Sequence, residues 1–226
     1  MPSLAVAAVA VLAAVCLLGG CGRPRTGGEQ AERVSEWAPD AVVAEAYLFD
    51  ARVTRAGKPT SVRLEVYRTD SVIALNGRGY LGKGAFRGSL EHDTLVVYFP
   101  TTDEYAIEPV AELFASLACS VGLQEFPLAK LFVHTPDSID LGAVAVVADY
   151  RNTDRPEFAL SRDGCGWSLR LQYDRRGERW WLREFHLESE PDFELRGQRR
   201  TLREQARVPL SRFRVAIPEG AVRVFP

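Results

Sequence analysis

The chain has 226 residues, of which 46% are hydrophobic and 26% are charged, and its formal net charge is −2. This balance provides no bulk electrostatic attraction for nucleic acid, so we expect no nucleic-acid partner. The apolar fraction and the length suit one large β domain.

The N-terminal stretch predicts an export signal. Residues 4–18 are almost wholly Ala, Val and Leu, and no charged side chain occurs before Arg23. The run ends in Leu18-Gly19-Gly20-Cys21, which resembles the bacterial lipobox, where a signal peptidase cuts just before an acylated Cys. We therefore expect residues 1–20 to be removed and Cys21 to carry a lipid that anchors the protein on the periplasmic side of a membrane. An uncleaved membrane anchor is the alternative, although the run is short for a span.

The next segment, residues 21–40, is predicted to be a lipidated tether followed by a short helix. Gly22, rather than Asp, after the lipidated residue is compatible with sorting to the outer membrane. The two cysteines that remain, Cys119 and Cys165, suit one disulfide in an oxidising compartment. Two separately buried thiols are the alternative.

Residues 41–226 read as one domain made mainly of antiparallel strands. Val62, Leu64 and Val66 alternate with polar residues, which predicts a strand with one buried face. Strands are predicted at 42–54, around 62–67, and at 71–75, 85–90, 94–99, 105–107, 143–150, 158–161, 167–173, 179–188, 193–208 and 212–217. Asn76-Gly77 is predicted to be a turn between strands, and residues 174–178 a hairpin turn.

Two helices are predicted between these strands, at 110–118 and 127–133. Pro109 suits the first position of the earlier helix, and Leu128, Leu131 and Phe132 are spaced helically in the later one. Such a chain can form a closed barrel, or a partly closed sheet whose open side the helices cover.

Phrases along the chain are similar to the LolA/LolB-like lipoprotein carriers and their uncharacterised relatives. They are the run from Val62 to Pro109, which includes His-Asp-Thr-Leu-Val-Val-Tyr-Phe-Pro and Glu-Tyr-Ala-Ile-Glu-Pro, and the ending Phe213-Arg214-Val215-Ala216-Ile217-Pro218. The resemblance implies an α+β fold, mainly antiparallel β, in the form of an unclosed half-barrel with a helical lid over an apolar cavity for acyl chains. A lipid on Cys21 matches the receptor-like side of that family.

The function expected on this basis is binding of acyl chains or lipidated proteins by a monomeric, membrane-anchored lipoprotein. A structural or assembly lipoprotein of the outer membrane with no ligand is the alternative. The residues predicted to line the cavity lie on the apolar faces of strands: Val62, Leu64, Val66, Trp167, Leu169, Leu171, Tyr173, Trp181, Phe213 and Val215.

The glycine-rich stretch at 77–83 (GRGYLGK) matches phosphate-binding patterns on paper, but those patterns need a helix next, and strands are predicted here. A hairpin tip is the simpler interpretation. Tyr80 and Leu81 on that tip are candidates for a loop that touches a membrane or a partner.

No catalytic residue, metal site or cofactor is predicted. His92, His134 and His186 show no metal-like spacing, and no nucleophile elbow is present. Trp180-Trp181 on one strand predicts one ring in the interior and one on the surface. A basic run near the end is predicted to be a solvated strand face, with anionic lipid head groups as the alternative contact: Arg196, Arg199, Arg200, Arg203 and Arg207.

Overall fold

The structure, a computed structural model, describes residues 40–79, 82–92, 94–109, 145–161, 166–189 and 193–224. These ranges contain strands and one short 3-10 helix, Leu210–Arg212. The strands are β1 Ala41–Arg55, β2 Lys58–Arg68, β3 Val72–Arg78, β4 Gly84–Glu91, β5 Thr94–Phe99, β6 Glu104–Pro109, β7 Ala145–Asp149, β8 Glu157–Ser161, β9 Trp167–Arg176, β10 Arg179–Ser189, β11 Phe193–Pro209 and β12 Val222–Arg223.

The strands form one 12-stranded sheet in the order β12-β6-β5-β4-β3-β2-β1-β11-β10-β9-β8-β7. Two meanders, β1 to β6 and β7 to β11, are joined side by side because β1 pairs with β11 along its whole length. All neighbours are antiparallel except β12, which runs parallel to β6. The sheet is open at β12 and β7, so the prediction of a mainly antiparallel, unclosed sheet is confirmed.

The predicted helical lid, residues 110–118 and 127–133, lies outside the described residues. No α-helix occurs in the ranges that the structure describes. Within those ranges there is likewise no helix long and apolar enough to cross a membrane.

One face of the sheet is apolar across neighbouring strands, from β5 near one edge of the sheet to β8 near the other. On β1, Tyr47, Phe49, Ala51 and Val53 alternate with less buried residues, as a strand with one buried face requires. The same alternation continues across the neighbouring strands, and most of its buried side chains pack into one hydrophobic cluster. We refer to this surface as the apolar face and to the opposite one as the polar face.

The C-terminal segment does not form the strand predicted at 212–217. The 3-10 helix Leu210–Arg212 follows β11, and no strand follows until β12. Phe213 packs instead with Ala44, Ala74 and Val208 in a second cluster, and its ring centroid lies 6.3 Å from that of Tyr67. The alternation of Phe213, Val215 and Ile217 was therefore a misleading signal, because the segment covers part of the polar face instead of joining the sheet.

The turn predicted at Asn76-Gly77 is wrong, since both residues lie inside β3. A Cβ at Gly77 would come within 2.2 Å of the ring of Phe86, its cross-strand partner on β4. Gly197 on β11 repeats the arrangement, with a Cβ 2.1 Å from the ring of Phe185 on β10. These glycines leave room for an aromatic ring lying across the strand, a known device for glycine within sheets.

The prediction that one ring of Trp180-Trp181 lies on the surface is also wrong. Both side chains are buried in the main cluster. The two residues pair in regular register with Arg175 and Asp174 on β9, and a register shift follows directly after Leu182, where alternation along β10 is interrupted. Trp181 approaches Tyr47 with a centroid distance of 6.4 Å, while Trp180 lies 6.0 Å from Phe158.

Candidate functional site

The sheet brings most of the predicted cavity residues onto the apolar face. Leu64 and Trp167 are partly buried and pack against the main cluster. The others of this group are buried members of the cluster itself: Val62, Val66, Leu169, Leu171, Tyr173 and Trp181. Sequence alternation therefore identified a surface that is continuous in three dimensions.

Two predicted cavity residues lie elsewhere. Phe213 belongs to the second cluster, on the opposite side of the sheet, and Val215 follows it in the same segment. The remaining predicted site residues lie outside the described residues: Cys21, Tyr80, Leu81, Cys119 and Cys165. Their lipidation, partner contact and disulfide stay predictions.

Tyrosine side chains that belong to the apolar face are largely removed from water. Burial raises the pKa of Tyr173, and at Tyr47 burial and the neighbouring Glu45 raise it together. The indole Nε1 of Trp167 is buried and has no hydrogen-bond partner among the described residues. An unpaired buried N–H costs about 1–3 kcal/mol, so donation of a hydrogen bond to an incoming carbonyl oxygen is favourable here.

A wide cavity lies on the polar face. It is a groove of about 1140 Å³ that crosses strands β3, β2, β1, β11, β10, β9 and β8. On β1, β9, β10 and β11 it is lined by three successive residues, such as Arg170, Leu171 and Gln172, and on β2 by five. Leu171 is buried and its neighbour Arg170 is exposed. The groove therefore lies on the side of the sheet to which Arg170 and the other polar side chains project. The sequence did not predict this groove.

Charges of both signs line the groove, and Arg52, Arg196 and Arg170 follow one of its edges. Arg63 and Arg78 are on the β2–β3 side, and Glu157 and Glu184 are on the β8–β10 side. Strand pairing sets these side chains in one row, because each is directly opposite its neighbour in the register: Arg78, Arg63, Asp50, Gln198, Glu184, Gln172 and Glu157.

The basic run near the end is not uniformly solvated. The side chain of Arg199 is only 7% exposed and is ion-paired with Asp174. Its Nη1 donates hydrogen bonds to the carbonyl oxygens of Leu182, at 2.8 Å, and Trp181, at 3.3 Å. Burial lowers the pKa of the Arg199 guanidinium, while the nearby Asp174 opposes that change. Arg199 thus bridges β10 and β11 beyond Glu184, where their ladder of paired residues ends.

A His/Glu cluster beside the groove was also missed by sequence reasoning. His186, Glu188 and Glu194 lie on the polar face of β10 and β11. The only signal in the sequence is the spacing His-x-Glu, which places both side chains on one face of a strand. Glu194 comes from the next strand, and no linear spacing reveals it.

No protein-family model and no curated protein matches the chain. Among solved structures, an uncharacterised conserved protein from Thermus thermophilus is similar at 10% identity and a TM-score of 0.40, covering 78% of this chain and 89% of that one. A LolA superfamily protein from Nitrosomonas europaea is similar at 8% identity and a TM-score of 0.37, covering 79% and 92%. A DUF1329 family protein from Desulfovibrio piger is similar at 9% identity and a TM-score of 0.40, covering 78% and 91%.

A member of the LolA superfamily, which the sequence resembles, is thus among these similar structures.

Proposed function

We propose that the protein is a lipid-anchored lipoprotein of the periplasmic side, in the outer membrane, that binds acyl chains or lipidated proteins on its apolar face. Binding involves no covalent chemistry. Each methylene removed from water contributes roughly 0.8 kcal/mol. The protein acts as a monomer, and its partners are the membrane, through the lipid on Cys21, and the acyl cargo.

The observation that carries this proposal is the apolar face itself. The main cluster contains side chains from β1, β2, β3, β4, β5, β8, β9 and β10 of one open sheet. A single sheet cannot cover such a face with its own strands. Acyl chains are one chemically matched covering for it, and the predicted lid at 110–118 and 127–133 is another.

The indole of Trp167 gives the face one polar group. Its buried, unpaired Nε1 lies next to the apolar cluster at the beginning of β9. Ligand sites typically combine an apolar wall with a few placed polar groups. The ester or carboxyl oxygen at the end of an acyl chain can accept the hydrogen bond that this N–H offers.

A structural or assembly role without a ligand is the second candidate, and the depth of burial favours it. Phe49, Val66, Leu160 and Leu171 have no solvent-exposed surface. Side chains buried to this degree are typical of a filled interior. In that case the apolar face serves stability alone, and the protein binds its partners elsewhere.

A titration with a fluorescent fatty acyl probe separates these two candidates. The carrier function predicts saturable binding to the delipidated protein and displacement by unlabelled fatty acid. Leu64→Asn, on the apolar face of β2, should weaken binding at least about tenfold, a change of about 1.4 kcal/mol. Arg63→Asn, its neighbour on the polar face, is the matched control. No saturable binding to a protein with a native circular dichroism spectrum would support the structural role instead.

Anchoring is tested separately through Cys21. Cys21→Ser should leave the precursor uncleaved or release the protein from the membrane fraction, because the acylated thiol is required for processing. Wild-type processing and membrane retention of this variant would contradict lipidation. Mass spectrometry of unreduced protein should also find Cys119 linked to Cys165, and free thiols at both positions would rule that disulfide out.

The hairpin tip can be tested in the same membrane assay. If Tyr80 and Leu81 touch a membrane or a partner, replacing both by Ser should reduce association of the unlipidated protein with liposomes or with that partner. Unchanged association would leave the tip as a simple turn.

A further inference from the structure

The His/Glu cluster on the polar face brings metal-ligating atoms together. His186 Nε2 lies 2.9 Å from Glu194 Oε1 and 3.0 Å from Glu188 Oε1. The nearest ligand atoms of the three residues all lie within 4.8 Å of one another. Two ligand atoms held at about 2.0–2.2 Å from one Zn²⁺ in tetrahedral geometry are about 3.3–3.6 Å apart. The cluster is close to that spacing, so small side-chain movements bring its three ligand atoms around one cation.

The sheet holds these side chains in place. His186 and Glu188 are two residues apart on β10, and Glu194 is directly opposite Glu188 on β11. Phe185 and Leu187, which alternate with them, pack against the main hydrophobic cluster on the other face. Ligands carried by paired strands are positioned more rigidly than ligands on loops. The cluster lies beside the groove, which His186 lines, and a smaller cavity of about 300 Å³, which Glu194 lines.

The hydrogen bonds of the cluster conflict. Arg196 Nε lies 3.1 Å from His186 Nε2 and can only donate, whereas the two carboxylates can only accept. The single Nε2 atom is either a donor or an acceptor, so it cannot serve both Arg196 and the carboxylates. A cation shared by Nε2 and the two carboxylate oxygens removes this conflict once Arg196 moves away, because the imidazole and both carboxylates then act as electron-pair donors.

We propose that His186, Glu188 and Glu194 bind a divalent transition-metal ion of the Zn²⁺ type. Imidazole with carboxylates suits Zn²⁺ and its neighbours, whereas Mg²⁺ and Ca²⁺ prefer all-oxygen sites. The exposed fractions of the ligand side chains, 20%, 49% and 30%, leave the remaining coordination positions open to water or to a further ligand from the groove.

Neighbouring side chains affect how strongly this site binds a cation: two arginines weaken binding, and one serine supports a ligand. Arg196 pairs with Glu194 and has to swing away when the metal binds. Arg170 is directly opposite His186 on β9, and its charge lowers the affinity for a cation. Ser168 Oγ lies 3.5 Å from Glu188 Oε2 and can orient that carboxylate.

Calorimetric titration of the full chain with ZnCl₂ tests the proposal, with Co²⁺ absorption as a spectroscopic check. The expected result is saturation near one ion per chain. His186→Ala and the isosteric Glu194→Gln should each weaken binding at least about tenfold, the usual effect of disturbing a metal site. His92→Ala, at the exposed turn between β4 and β5, should bind as wild type does.

Arg196→Gln should bind Zn²⁺ more tightly than wild type, because the competing guanidinium is gone. This gain cannot result from a folding defect, so it keeps the test informative if His186→Ala is unstable. The proposal is overturned if wild type does not bind, if Glu194→Gln binds like wild type, or if Ca²⁺ and Mg²⁺ bind as well as Zn²⁺ and the cluster is only an acidic patch.

Discussion

The two faces of the sheet are stabilised in different ways, although they are built from alternate residues of the same strands. The apolar face depends on burial, and several of its side chains are wholly inaccessible to solvent. The polar face carries ion pairs, such as the exposed pair of Arg200 with Asp50, and holds the groove. Neighbouring residues on one strand should therefore respond very differently to the same substitution.

The largest effect is expected on β9, where Leu171 and Gln172 are adjacent but face opposite ways. Leu171→Asn places an amide in the main cluster and leaves a void, and should destabilise the protein by about 3–5 kcal/mol. Gln172→Asn should change the unfolding free energy by no more than about 0.5 kcal/mol. Urea unfolding of both variants measures the difference. Equal destabilisation would mean that the faces are not distinct.

Arg199 and Arg200 give the next comparison, between a buried and an exposed ion pair. Arg199→Met removes the ion pair with Asp174 and the hydrogen bonds that Arg199 donates to the carbonyl oxygens of Trp181 and Leu182, and should cost about 3 kcal/mol. Arg200→Met removes an exposed pair with Asp50, worth about 1 kcal/mol or less. Thermal unfolding with matched baselines checks both. A smaller loss for Arg199→Met than for Arg200→Met would show that the bridge between β10 and β11 is not structural.

The glycines under aromatic rings form a third comparison, within the apolar face. Gly197→Ala drives a Cβ into the ring of Phe185 and should destabilise by about 1–3 kcal/mol. Gly88→Ala is the control, because its Cβ would meet its nearest neighbour at an ordinary 3.5 Å. That change should be neutral or stabilising by about 0.4–1 kcal/mol. Adding Phe185→Leu to Gly197→Ala should restore part of the loss, and no recovery would contradict the steric account.

The burial of Tyr173 predicts a smaller effect, which is a loss of stability at alkaline pH. Tyr173 in the folded protein has a pKa raised by burial, whereas in the unfolded chain it ionises near its ordinary value of about 10. The unfolded state therefore binds fewer protons above that pH, and stability should fall as the pH rises further. Denaturation midpoints between neutral pH and alkaline pH measure the slope. Tyr173→Phe should make the slope shallower, and an unchanged slope would mean that other groups cause it.

The sequence predicted the strands well, because period-two alternation directly reflects burial on one face. Most predicted ranges agree with the observed strands, including 94–99, which coincides with β5. The failures have local physical causes. Asn76-Gly77 has turn chemistry but forms part of β3 beneath Phe86, and the segment at 212–217 alternates like a strand but packs over the sheet.

The candidate sites also differ in whether the sequence alone could predict them. The apolar face was predictable because the alternation of apolar and polar residues within each single strand identifies the side chains that belong to it. The groove, the bridge at Arg199 and the His186 cluster were not, since each depends on which strands become neighbours. Glu188 and Glu194 meet only because β10 pairs with β11 in one particular register. A register of this kind is set by the whole sheet, and no local pattern encodes it.

The central claim is that acyl chains bind on the apolar face and not in the groove. The most direct measurement is photo-crosslinking of the protein with a diazirine-bearing fatty acid, followed by mapping of the modified residues by mass spectrometry. The account predicts labelling of half-buried residues on the apolar face, such as Leu64, Trp167 and Leu187, and loss of labelling with excess unlabelled fatty acid. Labelling confined to groove residues such as Arg63 and Gln198, or labelling that excess fatty acid does not reduce, would contradict it.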